Sequence, residues 1–64
     1  MEDLYVIKFE DNTYYTGYHK KSKKLHQAKI YTSLKFANEA GEIMKKRTGL
    51  SYSIKQVRIE EIEE

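Results

Sequence analysis

The stretch LYVIKFEDNTYYTGY, residues 4–18, decides the fold. Its first half is rich in β-branched and aromatic side chains and alternates in polarity, the pattern of a strand with one covered face. Tyr5, Ile7 and Phe9 share that face and are assigned to the core, while Lys8 and Glu10 take the other. Asp11 and Asn12 both tolerate the backbone of a tight turn, so residues 13–18 return as a second strand. A two-residue turn opposes Phe9 to Tyr14, Ile7 to Thr16 and Tyr5 to Tyr18. One more loop residue would turn Tyr15 and Gly17 inward instead. The shorter turn is the expectation.

Outward from this hairpin, residues 19–27 show no apolar period and read as an exposed loop anchored by Leu25. Residues 28–31 read as a short extra strand. Thr32 is the expected N-cap of a helix over residues 33–47, with Tyr31 and Phe36 as a hydrophobic staple across its start. Phe36, Ala37, Ala40, Ile43 and Met44 recur at helical spacing and form the expected buried stripe. Gly41 costs about 1 kcal/mol of helix propensity relative to alanine, which points to a close approach between helix and sheet. Lys45, Lys46 and Arg47 suit the negative end of the helix dipole, and Gly49 ends the helix.

Residues 51–62 read as the last strand, but their alternation breaks. Tyr52 and Ile54 share one parity and Val57 and Ile59 the other, so a β-bulge is expected near Lys55 and Gln56. Residues 60–64 are expected to extend into solvent. The sum is a single domain over residues 1–64 of the α+β class, ββ(β)αβ, with a small mostly antiparallel sheet and one helix packed on one face.

Size and charge bound the function. A 64-residue chain buries about 60% of its extended-chain surface, so its stability is a few kcal/mol. There is no cysteine and there are two histidines, so neither a disulfide framework nor a structural zinc site is expected. No apolar run approaches the roughly 20 residues that cross a bilayer, and the chain opens Met1-Glu2-Asp3 without a leader pattern. A cytoplasmic protein with no membrane partner is the expectation. The net charge of +2 is unevenly laid out: −3 over residues 1–12, +7 over 13–49 and −2 over 50–64.

The residues singled out for partner binding are Tyr14, Tyr15, Tyr18, Lys20, Lys21, Lys23 and Lys24. Lysines bind phosphates and tyrosines stack on bases or fill protein pockets, so the segment fits nucleic acid or an acidic protein face. A solvated loop has about the same pattern, and roughly two in three of the six tyrosines are expected to be structural. His19 and His26 bracket the lysines and read as exposed loop residues. The acidic C-terminus reads as a solubilising tail more than as a phosphate mimic. No nucleophile with a base and no paired carboxylates stand in a catalytic pattern, so no enzyme, cofactor or metal is expected.

The segments YVIKFEDNTYYTGYHKKSKKL (residues 5–25) and AKIYTSLKFANEA (residues 28–40) resemble the short ββαβ proteins encoded in prophages of Gram-positive bacteria. A subset of these is similar in size and makeup to anti-CRISPR proteins, which bind an RNA-guided effector nuclease and block it without chemistry. The resemblance implies a host partner, a type II effector nuclease or its guide RNA/DNA complex, and fixes no functional residue. Many anti-CRISPR proteins are acidic DNA mimics, and the net positive charge departs from that pattern. The expectation is a non-enzymatic inhibitor. A nucleic-acid-binding accessory module using the lysine loop is the alternative, and a homodimer through an exposed sheet edge is the third reading.

Overall fold

The loop between the first two strands is one residue longer than expected, and that residue sets the register of the sheet. In the computed structural model, which describes residues 3–58, β1 is Leu4–Phe9 and β2 is Tyr14–Gly17. The Phe9 amide donates to the Thr13 carbonyl (2.8 Å) and the Asn12 amide to the Phe9 carbonyl (3.0 Å), with Asn12 at φ 67°. A turn followed by one left-handed residue is the usual three-residue hairpin loop, and asparagine is among the few side chains that accept that φ. Lys8 therefore pairs with Tyr14. Tyr15 and Gly17 are buried, and the two-residue turn is corrected.

The chain turns again at Tyr18 and His19 and runs back as β3, Lys20–Ser22. This strand lies where the sequence suggested a loop. Its pairs with β2 are Tyr14 with Ser22, Tyr15 with Lys21 and Gly17 with Lys20, with a bulge at the one unpaired residue, Thr16. A 3₁₀ turn, Leu25–Gln27, follows. The extra strand expected at residues 28–31 shrinks to one bridge. Tyr5 and Tyr31 exchange amide bonds of 2.8 and 2.9 Å, and the Lys29 amide donates to the Tyr15 carbonyl. Together these bonds stitch β1 to β2 beyond the point where the strands part.

Helix α1, Leu34–Thr48, has its N-cap position at Ser33, one residue later than expected, and the Ser33 side chain makes no capping bond. Gly49 closes it at φ 76°, its amide bonded to the Lys45 carbonyl. Strand β4, Tyr52–Val57, then pairs antiparallel with β1 from Leu4–Val57 to Phe9–Tyr52 without a break. The sheet order is β3-β2-β1-β4, all neighbours antiparallel, and α1 packs on β1 and β4. The α+β architecture with one helix on one face is what the sequence implied.

The broken alternation of β4 has a different origin from a bulge: both faces of the sheet are covered. On the helix side, Ile7, Phe9 and Tyr15 meet Ala37 and Met44, joined by Tyr52 and Ile54. On the opposite side, Val6, Ala28 and Val57 form a second cluster with Leu4, Tyr14, Leu25 and Ile30. Tyr52 and Ile54 serve one core and Val57 the other, so a regular strand satisfies both parities. Ile59 lies outside the described residues.

Gly41 faces the sheet at the point of closest approach. A Cβ there would stand 2.5 Å from Tyr52 Cδ2 and 2.7 Å from Cζ, well inside contact distance. The ring has little freedom to retreat, since it packs on the helix-side core and its hydroxyl donates to the Asn38 carbonyl at 3.2 Å. Gly41→Ala is expected to cost about 1–3 kcal/mol despite its better helix propensity. A urea melt decides the point: an unchanged or raised midpoint would mean the ring swings aside freely.

Candidate functional site

The β2–β3 turn is the most unusual local geometry in the described residues. Tyr18 and His19 are the two central residues of a two-residue hairpin, at φ 53° and 61°, preceded by Gly17 at 97°. Two successive positive φ values are what the twist of the flanking strands requires, and Asn-Gly is the pair that adopts them without strain. A tyrosine and a histidine there cost of order 1 kcal/mol each. Tyr18 gains nothing from the fold in return, since it is 93% exposed.

The lysines that follow divide by role. Lys20, Lys23 and Lys24 are exposed. Lys21 is held by the fold: its Nζ lies 2.9 Å from Asp11 Oδ2 and 5.6 Å from the centre of the Phe9 ring. The segment after β3 is closed on itself. Ser22 Oγ donates to Gln27 Oε1 (2.6 Å), the Lys24 amide donates to Ser22 Oγ (3.1 Å), and the Gln27 amide donates to the Lys24 carbonyl (3.1 Å). Leu25 and Ala28 then dock on the second core. Lys23 and Lys24 are thus displayed from a tethered segment of fixed shape.

Of the tyrosines singled out from sequence, Tyr15 is buried in the helix-side core and Tyr14 is half-buried on the opposite face, with Lys8 Nζ 5.9 Å from its ring centre. Tyr18 and Lys20 are exposed at the β2–β3 turn and Lys23 and Lys24 beyond the far end of β3, with His19 and His26 exposed in the same segment. His19, a loop residue by its sequence, is one of the two central residues of this turn. Its position in the strained turn becomes visible only once the register is known.

Asp11 organises the other end of the hairpin. The Thr13 hydroxyl donates to Oδ1 at 2.6 Å and the Lys21 ammonium to Oδ2. These two contacts hold its carboxyl down at about 2, against an ordinary value of 3.8. A depressed carboxylate adds stability above its unfolded pKa and loses it as pH falls toward the folded one. The Asp11 contribution should therefore vanish between about pH 4 and about pH 2. Asp11→Asn should flatten that part of the acid unfolding curve, and an unchanged slope would refute the assignment.

A shallow cleft of about 330 Å³ opens between the first hairpin turn and the start of β4, with Lys8 and Glu10 as its charged lining. Among the described residues no group of three or more histidine, cysteine or acidic side chains is placed to hold a metal ion. Nor is any described helix long and apolar enough to cross a membrane. No family model, no curated protein and no solved structure matches this chain.

Proposed function

We propose that the protein is a non-enzymatic binding protein that engages an anionic partner through the β2–β3 tip. The observation that carries this reading is Tyr18, fully displayed on a strained turn between an exposed lysine and the covered sheet. Strain held at an exposed residue stabilises nothing in the monomer, so its use lies outside the monomer. Lys20 next to the Tyr18 turn, with Lys23 and Lys24 farther along past the end of β3, offers ammonium groups and one aromatic ring, which suits phosphates next to a stackable base or an acidic protein face.

The partner implied by the resemblance to anti-CRISPR proteins is a type II RNA-guided effector nuclease with its guide complex, and the protein then acts as an inhibitor. A basic tip fits guide RNA or an acidic patch of that assembly better than a channel built to hold DNA. The exposed lysines also favour a second reading, an accessory module that binds nucleic acid directly.

One pair of assays separates them. Purified protein is titrated into a guide-loaded type II nuclease cleaving a cognate duplex, and in parallel against a labelled single-stranded oligonucleotide at several salt concentrations. Suppression of cleavage near one-to-one stoichiometry supports the inhibitor. Steeply salt-dependent oligonucleotide binding without suppression supports the accessory module. Neither effect, across a panel of such nucleases and oligonucleotides, eliminates both.

A further inference from the structure

The two edges of the sheet are unlike. β3 is short, bulged against β2 and carries Lys20 and Lys21, features that keep an edge from pairing. β4 is twice as long, holds unbroken register with β1 and contains no proline. Which of its backbone groups face outward follows from the ladder. The Glu10 amide donates to the Ser51 carbonyl, whereas Tyr5 and Phe9 bond away from β4, to Tyr31 and Thr13. Alternation along an antiparallel pair then turns Ser53, Lys55 and Val57 toward β1. The amides and carbonyls of Tyr52, Ile54 and Gln56 are left on the open edge. None of these has a backbone partner among the described residues.

We propose that the β4 edge pairs with β4 of a second copy of the chain, antiparallel about a two-fold axis at Ile54. The spacing of the open groups selects that occupant. They lie symmetrically about Ile54, so one register uses all of them. Ile54 exchanges both bonds with Ile54 of the other copy, and Tyr52 and Gln56 exchange theirs with Gln56 and Tyr52. The side chains fit the same register. Half-buried Ile54 meets its equivalent on the helix side, and exposed Lys55 faces exposed Ser53 on the other. Sliding the strands by two residues one way sets Lys55 against Lys55. Sliding them the other way leaves Gln56 opposite Leu50, outside the strand. The axis stands perpendicular to the sheet, so both helices lie on one face. Each packs on β1 and β4, which sets them two strand spacings apart, roughly 10 Å, an ordinary distance for packed helices. The seam is at the opposite edge of the sheet from β3, and this proposal stands whatever the β2–β3 tip binds.

Two measurements on the full chain test it, from low-micromolar to near-millimolar concentration. In sedimentation equilibrium the mass should rise from monomer to dimer and stop there, because β3 offers no second edge. In amide hydrogen exchange followed by NMR, Ser53 and Lys55 should be protected at every concentration. Tyr52, Ile54 and Gln56 should exchange freely in the dilute sample and become protected only in the concentrated one. Gln56→Pro removes an outward donor and no bond to β1, so it should stay folded by circular dichroism and associate about tenfold or more weakly. Ser53→Glu sets a carboxylate against Lys55 of the other copy and should tighten association about fivefold, while Ser53→Lys should weaken it by a similar factor. A wild-type chain that stays monomeric throughout overturns the proposal and leaves the edge to a strand of another protein. A dimer whose Tyr52, Ile54 and Gln56 amides stay unprotected places the contact elsewhere and overturns it too. So does association unmoved by Gln56→Pro in a folded chain, or by both Ser53 substitutions.

Discussion

Val6→Asp is expected to unfold the domain. Val6 is 0% exposed on the face of the sheet away from the helix, where it meets Ala28 and Val57 beneath Leu25 and Ile30. The cation directly across on β4, Lys55, is exposed, so a carboxylate buried at residue 6 stays unpaired unless Lys55 is drawn in over the cluster. Burying an unpartnered carboxylate costs several kcal/mol, as much as the whole stability of a chain this short. The other escape is to lift the Leu25 segment off the sheet and reach water. That escape exposes Val57 and Ala28 and releases the platform that displays Lys23 and Lys24. Val6→Ala measures the apolar part alone and should cost about 2 kcal/mol with the fold retained. Far-ultraviolet circular dichroism and urea melts report both. If Val6→Asp melts within about 0.5 kcal/mol of wild type, the range of ordinary surface substitutions, the second core does not exist.

The second core also explains what the sequence hid. Reading residues 4–10 as a one-faced strand gave the correct inward set, Tyr5, Ile7 and Phe9, because alternation reports that face directly. It passed over Val6, whose cover comes from Leu25, Ala28 and Ile30, too few and too scattered to show a period. A one-faced strand would require a bulge in β4, where Val57 answers to the second face and Tyr52 and Ile54 to the first. Hairpin register was legible as a choice between two loops. Nothing local to Asp11 and Asn12 decides it, because both loop lengths use a residue at positive φ. The burial of Tyr15 decides it, and that burial is set by the helix.

The helix itself was legible in its extent and its glycine stop, and misread in its orientation. Five apolar residues at helical spacing span about 120° around the axis, and the sheet covers only the side of that arc that carries Ala37, Met44 and Gly41. Which edge of that arc stays outside depends on Gly41 meeting the Tyr52 ring, a contact between residues eleven apart in sequence. The exposed remainder is Phe36 and Ile43.

Placing Asn-Gly at residues 18 and 19 should move stability and binding in opposite directions. Asparagine and glycine accept the positive φ values now forced on Tyr18 and His19, so Tyr18→Asn with His19→Gly is expected to stabilise the fold by about 1–2 kcal/mol. For a domain of this size that raises the melting temperature by roughly 5–15 °C. The strand pairs on either side, Gly17 with Lys20 and Tyr15 with Lys21, stay intact. Loss of the Tyr18 ring removes one stacking contact, which is about tenfold or more in affinity for a labelled single-stranded oligonucleotide or in inhibition of a guide-loaded nuclease. Replacing Lys20, Lys23 and Lys24 by alanine tests the other half of the site. All three are exposed, so the melt should hardly change, while the salt dependence of oligonucleotide binding becomes shallower by about two units of log–log slope. A fold that depends on Tyr18 for packing would lose stability on Asn-Gly exchange, and a tip with no partner would show the gain in stability with affinity unmoved. Gained stability together with lost affinity is the signature of a residue kept at that turn for contact with something else.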